Sequence, residues 1–217
     1  MNHKRAHKVV STIQAYPTPL PLTLFLYGDF VEQFPDTVAA WAKRFRIGIR
    51  EDGNYPDAYL EMMPKTLVRR SLVSSIMRLR ELGLKTAYYW PAVNGSVLAR
   101  FRPLAKARGL RIVHPIAEFP GKLGTELKTE NYYRYRDVER VPRALRLIHD
   151  RLTETKGGIL GLDSDVPDTY MISVFLMDYL VQNSQFRLVE VESCVKEGAP
   201  VVENSEGLDI WAAKAQK

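Results

Sequence analysis

The sequence has 217 residues, 46% of them hydrophobic and 26% charged, with a formal net charge of +6. This is ordinary globular composition with ample apolar material for a core, and it excludes a mostly disordered, collagen-like or disulfide-stapled chain. No stretch reaches the ~18–20 apolar residues of a membrane span. The basic opening lacks an apolar signal core, and the single Cys194 allows no internal disulfide, so a cytoplasmic setting without a membrane partner is expected.

Residues 1–21 read as a basic N-terminal arm with a Pro-rich lead-in, because Pro17, Pro19 and Pro21 favour extended chain. Residues 22–195 are expected to form one α/β domain, and 196–217 a polar C-terminal tail with a short helix near 210–215. Within the domain, residues 22–27 read as a buried strand ending at Gly28-Asp29, and Pro35-Asp36 opens a helix with Asp36 as N-cap. Residues 46–50 alternate like a half-exposed strand, a turn-rich loop follows, and 59–62 read as a short strand. A helix over 65–82 carries an apolar stripe of Val68, Leu72, Val73, Ile76, Met77 and Leu79, with Gly83 placed for a left-handed cap.

Residues 85–93 read as strand. A helical stretch capped by Ser96 is expected to kink or split at Pro103 and to close at Gly109, and 111–119 read as one further strand. Residues 120–135 look irregular, a helix runs from Pro142 to about 155, and 157–163 feed a short buried strand. Residues 168–182 are apolar nearly all round, as in a helix buried on several sides, and 186–195 alternate as a strand. Strands alternating with helices predict an α/β fold: a mainly parallel sheet with helices on both faces, three-layered and Rossmann-like, with the strand order left open.

The charge is unevenly placed. Residues 1–63 hold 7 basic and 7 acidic groups, 64–151 hold 19 and 7, and 152–217 hold 5 and 11. The basic centre is rich in arginine and interleaved with aromatics. Guanidinium forks match phosphate oxygens and rings stack on bases, so Arg69, Arg80, Arg100, Arg102, Tyr132, Tyr133, Arg134, Tyr135, Arg136, Arg140 and Arg143 are the candidate nucleic-acid contacts. The leading expectation is therefore a protein that binds DNA or RNA through its phosphate backbone. A solvated basic face is the plainer alternative.

Asp163 and Asp165, with Ser164 between them and Asp168 beyond, end an apolar strand, and such a carboxylate pair suits Mg²⁺ or Mn²⁺. Asp29 follows the first strand, and Glu118 another, so either could share that edge in a parallel sheet. A metal-dependent nuclease or transferase is the enzymatic alternative, although turn and helix-capping duty explains the same residues. Whether any reaction is catalysed stays open at this level. A third reading is a homo-oligomer or assembly subunit whose basic and acidic parts complement each other.

Gly28 in LFLYGDF is similar to a strand-turn of gamma-glutamylcyclotransferases, but nothing downstream continues that likeness. No G-x-G-x-x-G, P-loop, G-x-S-x-G or H-E-x-x-H pattern occurs. His114 reads as a structural hydrogen-bonding residue. Cys194 reads as buried and inert, within or just after a late strand.

Overall fold

The computed structural model describes residues 3–17, 19–51, 62–91, 95–119, 140–164, 169–183 and 185–196. Their chain contacts divide into two units. The first is built on Leu22–His114, and the second joins Asn2–Pro21 to Pro115–Pro200.

The first unit holds four parallel strands, β1 (Thr23–Leu26), β2 (Arg46–Ile49), β3 (Tyr88–Tyr89) and β4 (Arg111–Ile112), paired in the order β1-β2-β3-β4. The register sets Leu26 beside Ile49, Ile49 beside Tyr89, and Tyr89 beside Ile112. The α/β class and the parallel sheet agree with the sequence. The order is sequential, without the reversal that defines a doubly wound Rossmann sheet; it is the order in which β/α units build a barrel.

Helices α2 (Gly28–Gln33), α3 (Pro35–Ala42), α4 (Lys65–Glu81) and α5 (Gly95–Ala107) belong to the same unit. In α3, Phe34 takes the N-cap position, Pro35 opens the first turn, and Asp36 lies inside that turn rather than capping it. Val68, Leu72, Ile76 and Leu79 of α4 are buried as expected, while Met77 is 45% exposed. Two small polar residues, Ser71 and Ser75, complete the buried stripe instead.

The reason lies in α2. A Cβ on Gly28 would stand 2.9 Å from the Ser75 Cα, so only a glycine against a small residue lets these helices approach so closely. At the far end Gly83 caps α4 with φ +72°, and Gly109 follows α5 with φ +68°. Pro103 does not split α5, which runs unbroken through it. Proline forfeits one backbone donor, while burial of Phe101 and Ala105 on either side holds the helix together.

In the second unit, β5 (Ala117–Phe119) pairs in parallel with β6 (Leu160–Leu162). The strand expected over 111–119 is thus two, β4 and β5, with His114-Pro115 between them; Pro115 has no N–H to give to a ladder. Helices α6 (Arg140–Glu154) and α7 (Thr169–Gln182) supply Ala144, Ile148, Leu152, Ile172, Leu176 and Leu180 to one core with Ile116. In α7 the apolar surround is only partly used, since Met171 and Phe175 are 43% and 45% exposed.

The N-terminal residues do not form a loose arm. Helix α1 (His3–Gln14) buries Ala6, Val9, Val10 and Ile13, and it packs on α7. At that contact the Lys8 ammonium sits 3.9 Å from the Tyr170 ring centroid, and the Tyr16 hydroxyl donates to Asp178 at 2.9 Å. The strand expected over 186–195 is also corrected: 186–190 are irregular and α8 (Val191–Lys196) follows, carrying a half-buried Cys194. The strand expected at 59–62 and the helix near 210–215 fall wholly or almost wholly outside the described residues. Among the described residues, no helix is long and apolar enough to cross a membrane.

Candidate functional site at the strand ends of residues 22–114

Beyond the regular strands the parallel ladder continues for another residue or two. Arg50 N–H donates to the Leu26 carbonyl at 2.8 Å, Trp90 N–H to Ile49 at 3.0 Å, and Gly28 N–H to Glu51 at 3.3 Å. These bonds carry Tyr27, Gly28 and Asp29 from β1, Arg50 and Glu51 from β2, and Trp90 from β3 to the C-terminal edge of one sheet. In open α/β sheets and β/α barrels alike, this edge is where ligands bind.

Two polar side chains are buried there. Glu51 is fully enclosed and accepts a hydrogen bond from the Tyr89 hydroxyl at 2.6 Å. Burial pushes the Tyr89 hydroxyl well above the ordinary tyrosine range, and the Glu51 charge and hydrogen bond add to the shift while the Arg50 charge opposes it. Arg50 is only 7% exposed, and its guanidinium carbon lies 4.7 Å from the Tyr27 ring centroid and 4.9 Å from that of Trp90. Both are cation–π distances. Phe25 meets Trp90 edge-on at 5.5 Å, which fixes the indole. Asp29 turns its Oδ1 back to accept from the Phe30 N–H at 2.8 Å.

Of the residues singled out from sequence, Asp29 lies at this edge, and the other described ones lie elsewhere or serve the scaffold. Arg69 and Arg80 are exposed on α4, and Arg102 is partly exposed on α5. Arg100 donates to the Met63 carbonyl, a structural tie. In the second unit, Arg143 is exposed on α6 and Arg140 begins that helix. Tyr132, Tyr133, Arg134, Tyr135 and Arg136 lie outside the described residues, as do Asp165 and Asp168. The Asp163 carbonyl accepts from the Thr169 hydroxyl, which ties the end of β6 to the start of α7, and Glu118 lies in β5. Among the described residues, no three His, Cys, Asp or Glu side chains gather as a metal site. At the strand ends of 22–114 the described carboxylates are Asp29 and Glu51, both engaged, with a cation beside them. That donor set does not fit a divalent-metal centre.

Arg50 and Glu51 did not stand out in the sequence, and Tyr89 and Trp90 did so only as aromatics among the arginines of the basic centre. The available signal was a charged Arg-Glu pair directly after a strand whose Ile47 and Ile49 are apolar.

No family model matches the sequence, and no curated protein does. Solved structures do share the fold. The peptidoglycan deacetylase PdaC of Bacillus subtilis superposes with a TM-score of 0.56 at 13% identity, over 90% of this chain and 85% of that one. A family 4 carbohydrate esterase of Streptomyces lividans, in complex with acetate, gives 0.58 at 12% identity, over 84% of each chain. A family 4 carbohydrate esterase pseudoenzyme of Bacillus anthracis gives 0.55 at 11% identity, over 88% of this chain and 59% of that one.

The fold is therefore the one that these carbohydrate esterases, the deacetylase and the pseudoenzyme share. This finding overturns the expected nucleic-acid-binding function and its DNA or RNA partner, together with the nuclease, transferase and assembly alternatives. Of the described arginines in the basic centre, Arg69, Arg80 and Arg143 are exposed, and among the described residues no group of side chains selects Mg²⁺ or Mn²⁺.

Proposed function

We propose that the protein is a carbohydrate-directed hydrolase of the esterase type, acting on an acylated sugar polymer at the strand ends of residues 22–114. The observation that carries this reading is the fold shared with carbohydrate esterases and a peptidoglycan deacetylase over most of both chains. The test is acetate release by the full chain from acetylated xylan, N-acetylglucosamine oligomers and peptidoglycan, with Mg²⁺, Mn²⁺ or Zn²⁺ and with chelator. Release above the protein-free rate supports the reading. The absence of release from all three polymers, with every metal tried, overturns it.

A second reading, retention of the polymer without cleavage, is favoured by the engaged state of Asp29 and Glu51 beside a cationic Arg50. A pseudoenzyme among the structural neighbours has the same fold. Polymer binding with no acetate release would select it.

A further inference from the structure

We propose that Arg50 anchors an anion subsite at the C-terminal end of β2, and that its ligand is a carboxylate carried by the sugar polymer. The sugar rests on the function proposed above; the carboxylate rests on Arg50 alone. A guanidinium keeps its charge at any physiological pH and carries five N–H donors. Enclosing it is costly unless something answers both charge and donors. Here the side chain is more than nine-tenths buried, its Nε makes no hydrogen bond, and among the described residues no carboxylate pairs with it.

The neighbouring acids are committed elsewhere, Glu51 to the Tyr89 hydroxyl and Asp29 to the Phe30 amide. The Tyr27 and Trp90 rings stabilise the charge through their π density but accept none of the N–H groups as a full hydrogen bond. Among the described residues, what remains unanswered is the Nε–H on the planar edge of the guanidinium. A carboxylate answers such an edge with two parallel hydrogen bonds. A phosphate dianion fits less well: among the described residues one arginine or lysine lies at this edge, with Asp29 and Glu51 close by, so a second negative charge would be left buried without a partner.

The experiment is calorimetric titration of the full chain with sodium glucuronate, glucose, inorganic phosphate, and a galacturonate oligomer beside its methyl ester. Glucuronate is expected to bind with glucose silent, and the acidic oligomer to bind at least about tenfold more tightly than its ester. Arg50→Gln should abolish both preferences, and Arg50→Lys, which keeps the charge and loses the fork, should restore only part of them. Equal binding of acid and ester, a preference that survives Arg50→Gln, or phosphate bound more tightly than glucuronate overturns the proposal. Should Arg50→Gln fail to fold, the wild-type comparisons still decide it.

The two readings fail separately. Acetate release or polymer retention with no carboxylate preference removes the Arg50 subsite and leaves the carbohydrate function. Glucuronate and the acidic oligomer bound through Arg50, with the three acetylated polymers neither cleaved nor held, upholds the subsite and removes the esterase function.

Discussion

The two units bury different kinds of side chain. The second fills its core with Ile116, Ala144, Ile148, Leu152, Ile172, Leu176 and Leu180, and the polar residues it buries, Thr169 and Ser173, are uncharged. There Asn183 donates to the Tyr179 hydroxyl at 2.9 Å, and that hydroxyl is bonded in turn to His149 Nδ1. The first unit encloses an arginine, a glutamate and a tyrosine hydroxyl at its strand ends. Aliphatic burial is favourable by itself, at about 1.5–3 kcal/mol per large side chain. Enclosed charge costs free energy unless it is paired, and this cost separates the strand ends of the first unit from the apolar core of the second.

The sharpest way to break that contrast is Leu176→Ala. It should cost about 2–5 kcal/mol through lost contacts and a residual cavity, read as a lower denaturant midpoint, while glucuronate affinity of the folded fraction stays within about twofold. A large loss of affinity would show that the apolar core governs the site.

Tyr89→Phe should cost less, about 1–3 kcal/mol, by removing the hydrogen bond that the Tyr89 hydroxyl gives to the Glu51 carboxylate. The same substitution has a pH signature. The folded state holds the Tyr89 proton well above pH 10, where an unfolded chain releases it. This group's contribution is therefore complete below about pH 10 and declines as pH rises above it, by up to ~1.4 kcal/mol per pH unit. Denaturation at pH 8 and pH 11 should show a steeper decline for wild type than for Tyr89→Phe. Parallel declines would mean that burial does not hold that proton.

The smallest change is expected on the surface. Glu32→Gln removes the 2.5 Å pair with Arg78, but Glu32 is largely open to solvent. Its effect should stay within about 0.5 kcal/mol and shrink with salt. A larger loss would make charge on the outside of the first unit as consequential as charge within it.

Much of the fold was legible from local signals, because those signals act locally. Gly83 and Gly109 end their helices for the conformational reason their positions implied, and the strand at 22–27 and the helix at 65–82 formed where periodicity put them. The misses arose where tertiary partners decide. Basic residues masked the apolar spacing of Ala6, Val9, Val10 and Ile13 until α7 offered a surface to cover them. The alternation of Leu188, Glu190 and Glu192 resembled a strand, yet a strand needs a neighbour to pair with, and α8 formed instead.

The candidate site was hidden for a related reason. Arg46 and Arg50 look equivalent on an alternating strand, but one is exposed and the other enclosed by Tyr27 and Trp90, rings contributed by β1 and β3. Meanwhile the abundance of exposed arginines drew attention to residues such as Arg69 and Arg80, whose number carries charge but no geometry.

The nearness of Trp90 to Arg50 has a practical outcome. An indole 4.9 Å from a cation emits light in a field that an arriving anion would partly cancel, so occupancy should report itself as a change in intrinsic fluorescence without any added label. Trp41 is stacked on Phe30 at 5.7 Å, and Trp211 is the remaining indole. Exchanging those two for phenylalanine would leave a single chromophore watching the edge of the sheet.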